Sequence, residues 1–282
     1  GIHAGIVQRI VQHGWDRMGS IEICKLQDYV MLQRFRTTAA LARLRDGFRT
    51  LTSQGIPSKL SKSAIEETRK ESPLDVVLML KSNFSATFNV MDLKMVLLRS
   101  NSGSFIVSDN PVVFLNPAAR SGKIIGGDGV KNCGLVVYFP IDPTAALLMF
   151  DSDIYDLSEN RSCVYITDSQ FYKLNTRQYL NCRSNRFFKN NSECEIRHIV
   201  SSNAHRRLGM RDSPLIDASI SASLLRTLDV PRFPIYPNPH LPPLPPMRNP
   251  AWARIADDYF HLLVTTDAPP LGIFEFAINH PS

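Results

Sequence analysis

Seven hydrophilic residues occupy positions where burial makes them costly. Gln33, Arg36 and Thr37 fall on or beside an apolar helical stripe, Ser108, Asp109 and Asn110 close a β run, and Asn175 lies among the apolar residues of a later helix. Brought together, they offer amides and hydroxyls for hydrogen-bond readout, one guanidinium for a phosphate or carboxylate, and one carboxylate able to act as a general base. The simplest chemistry of this kind is hydrolysis of a phosphate-containing substrate. Asp109 would be the catalytic base, and Gln33, Arg36, Thr37, Ser108, Asn110 and Asn175 would bind the ligand. A single carboxylate is thin for a two-metal site, so no metal centre is expected.

Three elements must position these groups. Ile23, Leu26, Val30, Gln33, Thr37, Ala40, Leu44 and Phe48 follow one another in steps of three and four, which predicts a helix from Ser20 to about Phe48 with all eight on one side. An unpaired buried amide costs about 1–3 kcal/mol, so Gln33 needs a partner from elsewhere in the fold. Arg36, at the edge of the stripe, can reach across while keeping water contact. A second helix, capped by Asp168 and running to about Arg183, has Phe171, Leu174, Tyr179 and Cys182 on its apolar side with Asn175 among them. The third element is a strand, Phe105-Ile106-Val107, that ends in Ser108-Asp109-Asn110-Pro111, where proline stops the ladder. Strand ends present functional side chains, and Asp and Asn also cap turns there. The expectation is a polar cleft in which Gln33, Arg36, Asp109, Asn110 and Asn175 lie within hydrogen-bond or one-water reach. The alternative is a non-catalytic interaction module, in which the same residues form a closed structural network and surfaces do the work.

Composition bounds the partners. The 282 residues carry 32 Lys and Arg against 26 Asp and Glu, a net charge of +6. Eight basic residues between Arg177 and Arg211 face only Glu193 and Glu195, so this segment holds a surplus equal to that of the whole chain. A nucleotide or nucleic acid is therefore the natural ligand class, with the Arg177–Arg211 segment as its contact. The odd number of widely spaced cysteines, five, reads as reduced thiols. Cys182, Cys194 and His198 come nearest to a metal pattern but lack a C-x-x-C pair. Nucleophile patterns such as G-x-S-x-G are absent. The longest apolar stretch, Gly134 to Phe150, is broken by Pro140, Asp142 and Pro143, so no membrane-spanning helix is expected and a cytoplasmic protein is. No cofactor is legible.

The remaining elements frame these. Ile6, Val7, Ile10, Val11, Trp15 and Met18 recur at helical spacing. Ser63 to Glu66 forms a capping box, and Ser72-Pro73 opens another helix. Leu93 to Arg99 and Ser104 to Leu115 read as a hairpin about Asn101-Ser102-Gly103. A Gly-rich loop from Lys123 to Asn132 leads to two strands, Gly134 to Phe139 and Ala145 to Phe150, with Pro140 and Pro143 turning the chain between them. Nine prolines between Pro231 and Pro250 make an extended segment that leads to a last element at Trp252 to Val264. The fold class expected is α+β: an N-terminal helical layer on a mostly antiparallel sheet, a closing helix and a proline-rich tail. One domain would span 1–190, with 191–282 as an extension.

Several of these residues carry a family resemblance. Gln33-Arg34-Phe35-Arg36-Thr37 resembles a Q-x-x-R-T helix motif, and Phe105 to Val112 resembles a strand ending in S-D-N-P-V. Phe139-Pro140 resembles a later F-P strand end, and Leu174-Asn175 with Arg186-Phe187-Phe188 resembles the closing helix of the bacterial family catalogued as domain of unknown function 4238. The resemblance covers about residues 5 to 190 and implies a bacterial cytosolic protein without an assigned activity. Members of that family usually begin with a His-rich segment that has no match here, so the chain is expected to lack that front.

Overall fold

In a computed structural model the residues described are 2–15, 18–38, 40, 42, 83, 86–101, 103–120, 127–157, 162–188, 193–211 and 235–237. The chain divides into two compact units, Gly1–Leu26 with Asp92–Arg248 and Gln27–Met91 with Asn249–Ser282. It is an α+β protein with a mostly antiparallel sheet, as the sequence predicts.

The first unit is organised on two strands, β4 (Val136–Asp142) and β5 (Ala145–Phe150). Every residue of β5 is buried, so it reads as a continuous apolar run covered on both faces. The two pair antiparallel from Val136↔Phe150 to Asp142↔Ala145, with a register shift between Pro140 and Asp142. The tight turn lies at Pro143-Thr144, where Asp142 Oδ1 accepts from the Thr144 N–H at 2.9 Å and from its hydroxyl at 2.8 Å. Pro140 thus belongs to the strand, at its irregular end, rather than to the turn. Outside this pair, β3 (Val113–Leu115) adds to β4, β1 (Lys94–Arg99) adds antiparallel to β5, and β7 (Cys163–Tyr165) adds parallel to β1. The order is β3-β4-β5-β1-β7.

The hairpin expected about Asn101 to Gly103 does not form. β1 bonds to β5 and β7 instead, and the second run splits into β2 (Val107–Ser108) and β3. The split falls at Asp109 to Val112, where Pro111 lacks the N–H a ladder requires. Upstream of β2 the backbone bonds outside any strand: Phe105 N–H donates to Pro143 O at 2.7 Å.

Register explains the core. Val113, Tyr138, Leu148 and Val96 are cross-strand partners in one row across four strands, and all four are buried in the main cluster. Phe105, Phe171 and Leu174 cover that row, with the Phe105 and Phe171 ring centroids 5.2 Å apart. Phe171 and Leu174 come from α4 (Asp168–Asn181), numbered after α1 (Ile2–His13), α2 (Ser20–Phe35) and α3 (Pro117–Arg120). The N-cap of α4 is Thr167, one residue before the expected Asp168, because Thr167 and Gln170 complete a reciprocal capping box. α5 (Glu193–Arg211) packs on α4 through Tyr179, Leu180, Ile196 and Ile199, a cluster that Ile106 joins from the segment before β2.

The Tyr138 hydroxyl lies inside this core without a hydrogen-bond partner, and burial pushes its pKa well above the ordinary phenol value. Tyr138→Phe removes an enclosed polar atom while keeping the ring, so it is expected to raise stability by about 1 kcal/mol. Urea unfolding checks this; an unchanged or lower midpoint would show that the hydroxyl is satisfied.

The helix predicted from Ser20 is interrupted. α2 stops at Phe35, because Thr37 Oγ1 accepts from Ala40 N–H and donates to Arg34 O, each at 3.1 Å, and so caps a new helical start; residues 43–48 of the predicted helix lie outside the described residues. In the second unit Gln27 Nε2 donates to Val90 O at 3.1 Å, and Asp28 Oδ1 accepts from Asn83 Nδ2 at 3.1 Å and from the Thr87 hydroxyl at 3.2 Å. The motifs at Ser63 to Glu66, Ser72-Pro73 and Trp252 to Val264 lie outside the described residues, as does the Gly-rich loop before Gly127. Of the proline-rich stretch, β9 (Ile235–Pro237) is described; it pairs antiparallel with β6 (Tyr155–Leu157). Among the described residues no helix is long and apolar enough to cross a membrane.

Candidate functional site

The strand end at Ser108 to Pro111 is held by side-chain amides from one helix. Asn175 is completely buried on α4; its Oδ1 accepts from Ile106 N–H at 3.0 Å, and its Nδ2 donates to Ser104 O at 3.2 Å and Glu195 Oε1 at 3.4 Å. Three residues on, Gln178 contacts Ser108. In the amide orientation that satisfies both ends, it accepts from Ser108 N–H at 3.1 Å and Oγ–H at 2.8 Å, and donates to Pro111 O at 3.1 Å. Three further on, Asn181 Nδ2 donates to Asn110 O at 2.6 Å and Val112 O at 3.1 Å, while Asn110 Nδ2 donates back to Asn181 Oδ1 at 3.0 Å. The irregular segment 104–112 has no continuous ladder, so its backbone groups find these amides instead.

Asp109 is engaged with the turn after α4. Its carboxylate accepts from the backbone N–H groups of Arg183 at 2.9 Å, Ser184 at 2.7 Å and Asn185 at 3.0 Å. Its own N–H donates to Asn185 O at 3.0 Å, and β2 then pairs with β8 (Arg186–Phe187). Partial burial alone would push the Asp109 carboxyl up, but the N–H groups of Asn185, Arg183 and Ser184, with the Cys182 side chain, bring it below the ordinary value. Glu195 shifts the other way. Burial raises it, Asp168 adds repulsion, and the Asn175 amide opposes both.

The predicted site residues therefore divide. Ser108, Asp109, Asn110 and Asn175 belong to the first unit and share the α4-to-strand junction; Gln33, Arg36 and Thr37 belong to the second. There Gln33 is buried, Arg36 is exposed, and Thr37 is the local cap already described. Gln178, Asn181 and Glu195 were missed at the sequence level. Gln178 and Asn181 carried a signal, since they continue from Asn175 in steps of three on a helix whose neighbouring positions are apolar.

The basic segment is heterogeneous. Arg177 is buried, Arg197 pairs with Glu193 Oε1 at 2.6 Å, and the Arg186 guanidinium lies 5.1 Å from the Tyr179 ring centroid. Arg183 is exposed, and beyond it Phe187 and Phe188 are 60% and 41% exposed. Among the described residues no group of three or more His, Cys, Asp or Glu is placed to hold a metal. Cys182 Sγ donates to Asn185 O at 3.2 Å, and His198 packs its ring against Tyr172.

A mixed, mostly antiparallel sheet, with one helix stitched by amides to a proline-terminated strand end, defines the class of α+β protein to which this chain belongs. Residues 1–192 match the family described as Protein of unknown function (DUF4238), and the chain belongs to that family. No curated protein and no solved structure matches it.

Proposed function

We propose that the protein is a non-catalytic binding module for single-stranded nucleic acid. On this reading Asp109 is the pedestal of the contact loop rather than a general base. The observation that carries it is the carboxylate's set of three backbone donors from Arg183, Ser184 and Asn185. A base free to take a proton from water or substrate would have unsaturated lone pairs and a pKa nearer neutrality, whereas this carboxyl sits below its ordinary value. The pinned loop leads directly to Arg186, Phe187 and Phe188. Exposed aromatic rings on a segment that also carries the exposed Arg183 offer what stacked bases and a phosphate backbone require. The junction of Asp109, Asn110 and Asn175 supports a surface reading, with Asp109 committed to the loop rather than to proton transfer.

Fluorescence anisotropy with a labelled single-stranded oligonucleotide tests it. At low salt the full chain is expected to bind, with no cleavage on a denaturing gel. Replacing both Phe187 and Phe188 by alanine should weaken binding about tenfold or more, since stacking is worth ~1–3 kcal/mol per base. Arg183→Ala should reduce the salt slope by about 1. Failure to bind at low salt, or binding indifferent to the aromatic pair, would overturn the assignment.

A further inference from the structure

The first unit contains a second recess, away from the amide junction. Its floor follows from strand register: Leu97 is opposite Cys163 and Arg99 opposite Tyr165 in the parallel β1–β7 pair, so these four side chains share one face of the sheet. Val96, Leu98 and Val164 point the other way, into the main core. Over the first face lies the C-terminal end of α1, tied down by the Arg99 guanidinium, which donates to Val11 O. Between them is a cavity of about 520 Å³, lined among others by His13, Trp15, Arg99, Asn101, Thr144 and Tyr165. That volume lies within the range of small-molecule sites, roughly 300–1,000 Å³.

Two features of the lining specify an occupant. Tyr165, on the edge strand, is 65% exposed, a large aromatic surface at the rim. Among the described lining residues none is acidic, while Arg99 is a permanent cation and Asn101 and Gln12 offer amide donors. We propose that this cavity binds a small planar aromatic ring carrying an oxyanion, with the ring against Tyr165 and the anion toward Arg99. The site stands on geometry separate from the nucleic-acid reading and does not depend on it.

Isothermal titration calorimetry on the full chain tests it. One arm uses nucleoside 5′-monophosphates, a second uses aromatic carboxylates such as 4-hydroxybenzoate, and a third uses inorganic phosphate alone. Binding by either aromatic arm below about 1 mM is expected. Tyr165→Ala, at an exposed edge position, should weaken the ligand about fivefold or more. Arg99→Lys, which keeps the charge, should impair the anionic ligand more than its uncharged parent nucleoside or phenol. Three results would each overturn the site: no heat from either aromatic arm, phosphate alone binding as tightly, or affinity unmoved by Tyr165→Ala.

Discussion

Asn175→Ala is expected to lower the stability of the first unit by roughly 3–5 kcal/mol, the largest effect of any alanine substitution proposed for this chain. The side chain is fully enclosed and serves two backbone groups, Ile106 N–H and Ser104 O, as well as Glu195. Truncation leaves both backbone groups without partners and opens a void beneath α4. Asn175→Asp should be worse at neutral pH, because it replaces the donor facing Ser104 O and Glu195 with a second carboxylate. It should recover partly in acid, where one or both carboxyls are protonated. Thermal unfolding followed by circular dichroism at several pH values decides the matter. An Asn175→Ala variant that melts with the parent protein would show that the junction is not a structural lock.

Asp109→Ala is expected to reduce Tm by about 4–8 °C, from a loss of roughly 2 kcal/mol spread over a unit of this size. The figure is smaller than for Asn175 because the stranded N–H groups of Arg183, Ser184 and Asn185 lie near the surface and can turn to water. Asp109→Asn keeps one acceptor and should fall between the two. The pH dependence has a definite sign. A folded-state pKa below the unfolded one means the Asp109 contribution is complete above the unfolded carboxylate value and disappears as pH falls through the depressed one. Glu195 runs oppositely: its raised pKa favours the folded state in acid, and that benefit is lost as pH climbs through the folded value. Subtracting the acid-unfolding profile of Asp109→Ala from that of the parent should isolate the first of these. If the variant keeps its Tm yet no longer binds oligonucleotide, Asp109 belongs to a ligand site and the pedestal reading fails.

The sequence revealed the polar positions more readily than their partners. Helical periodicity marked Asn175 as an amide on an apolar face, and the proline after Asn110 marked where the strand had to stop. Both inferences rest on local chemistry that tertiary structure cannot evade. Strand pairing was less legible: Leu93 to Arg99 looked like half of a hairpin, yet β1 pairs with strands formed much later, because two buried apolar runs attract each other without regard to sequence distance. Thr37 shows the reverse case. Its place on the stripe demanded a distant partner, whereas a hydroxyl can satisfy itself on the backbone of its own turn, and it does. For Asp109 the residue type allowed a base, a ligand or a cap, and the three N–H groups its carboxylate accepts from leave no mark in residue spacing.

The placement of β1 has a consequence for biosynthesis. Among the described residues it is the earliest strand to leave the ribosome, yet it ends up flanked by β5 and β7, the latter in parallel. Until Tyr165 has emerged, one entire border of Lys94–Arg99 remains unsealed and adhesive. Nascent chains stalled short of that point are therefore expected to clump, and co-translational acquisition of the native sheet is governed by when the final strand arrives.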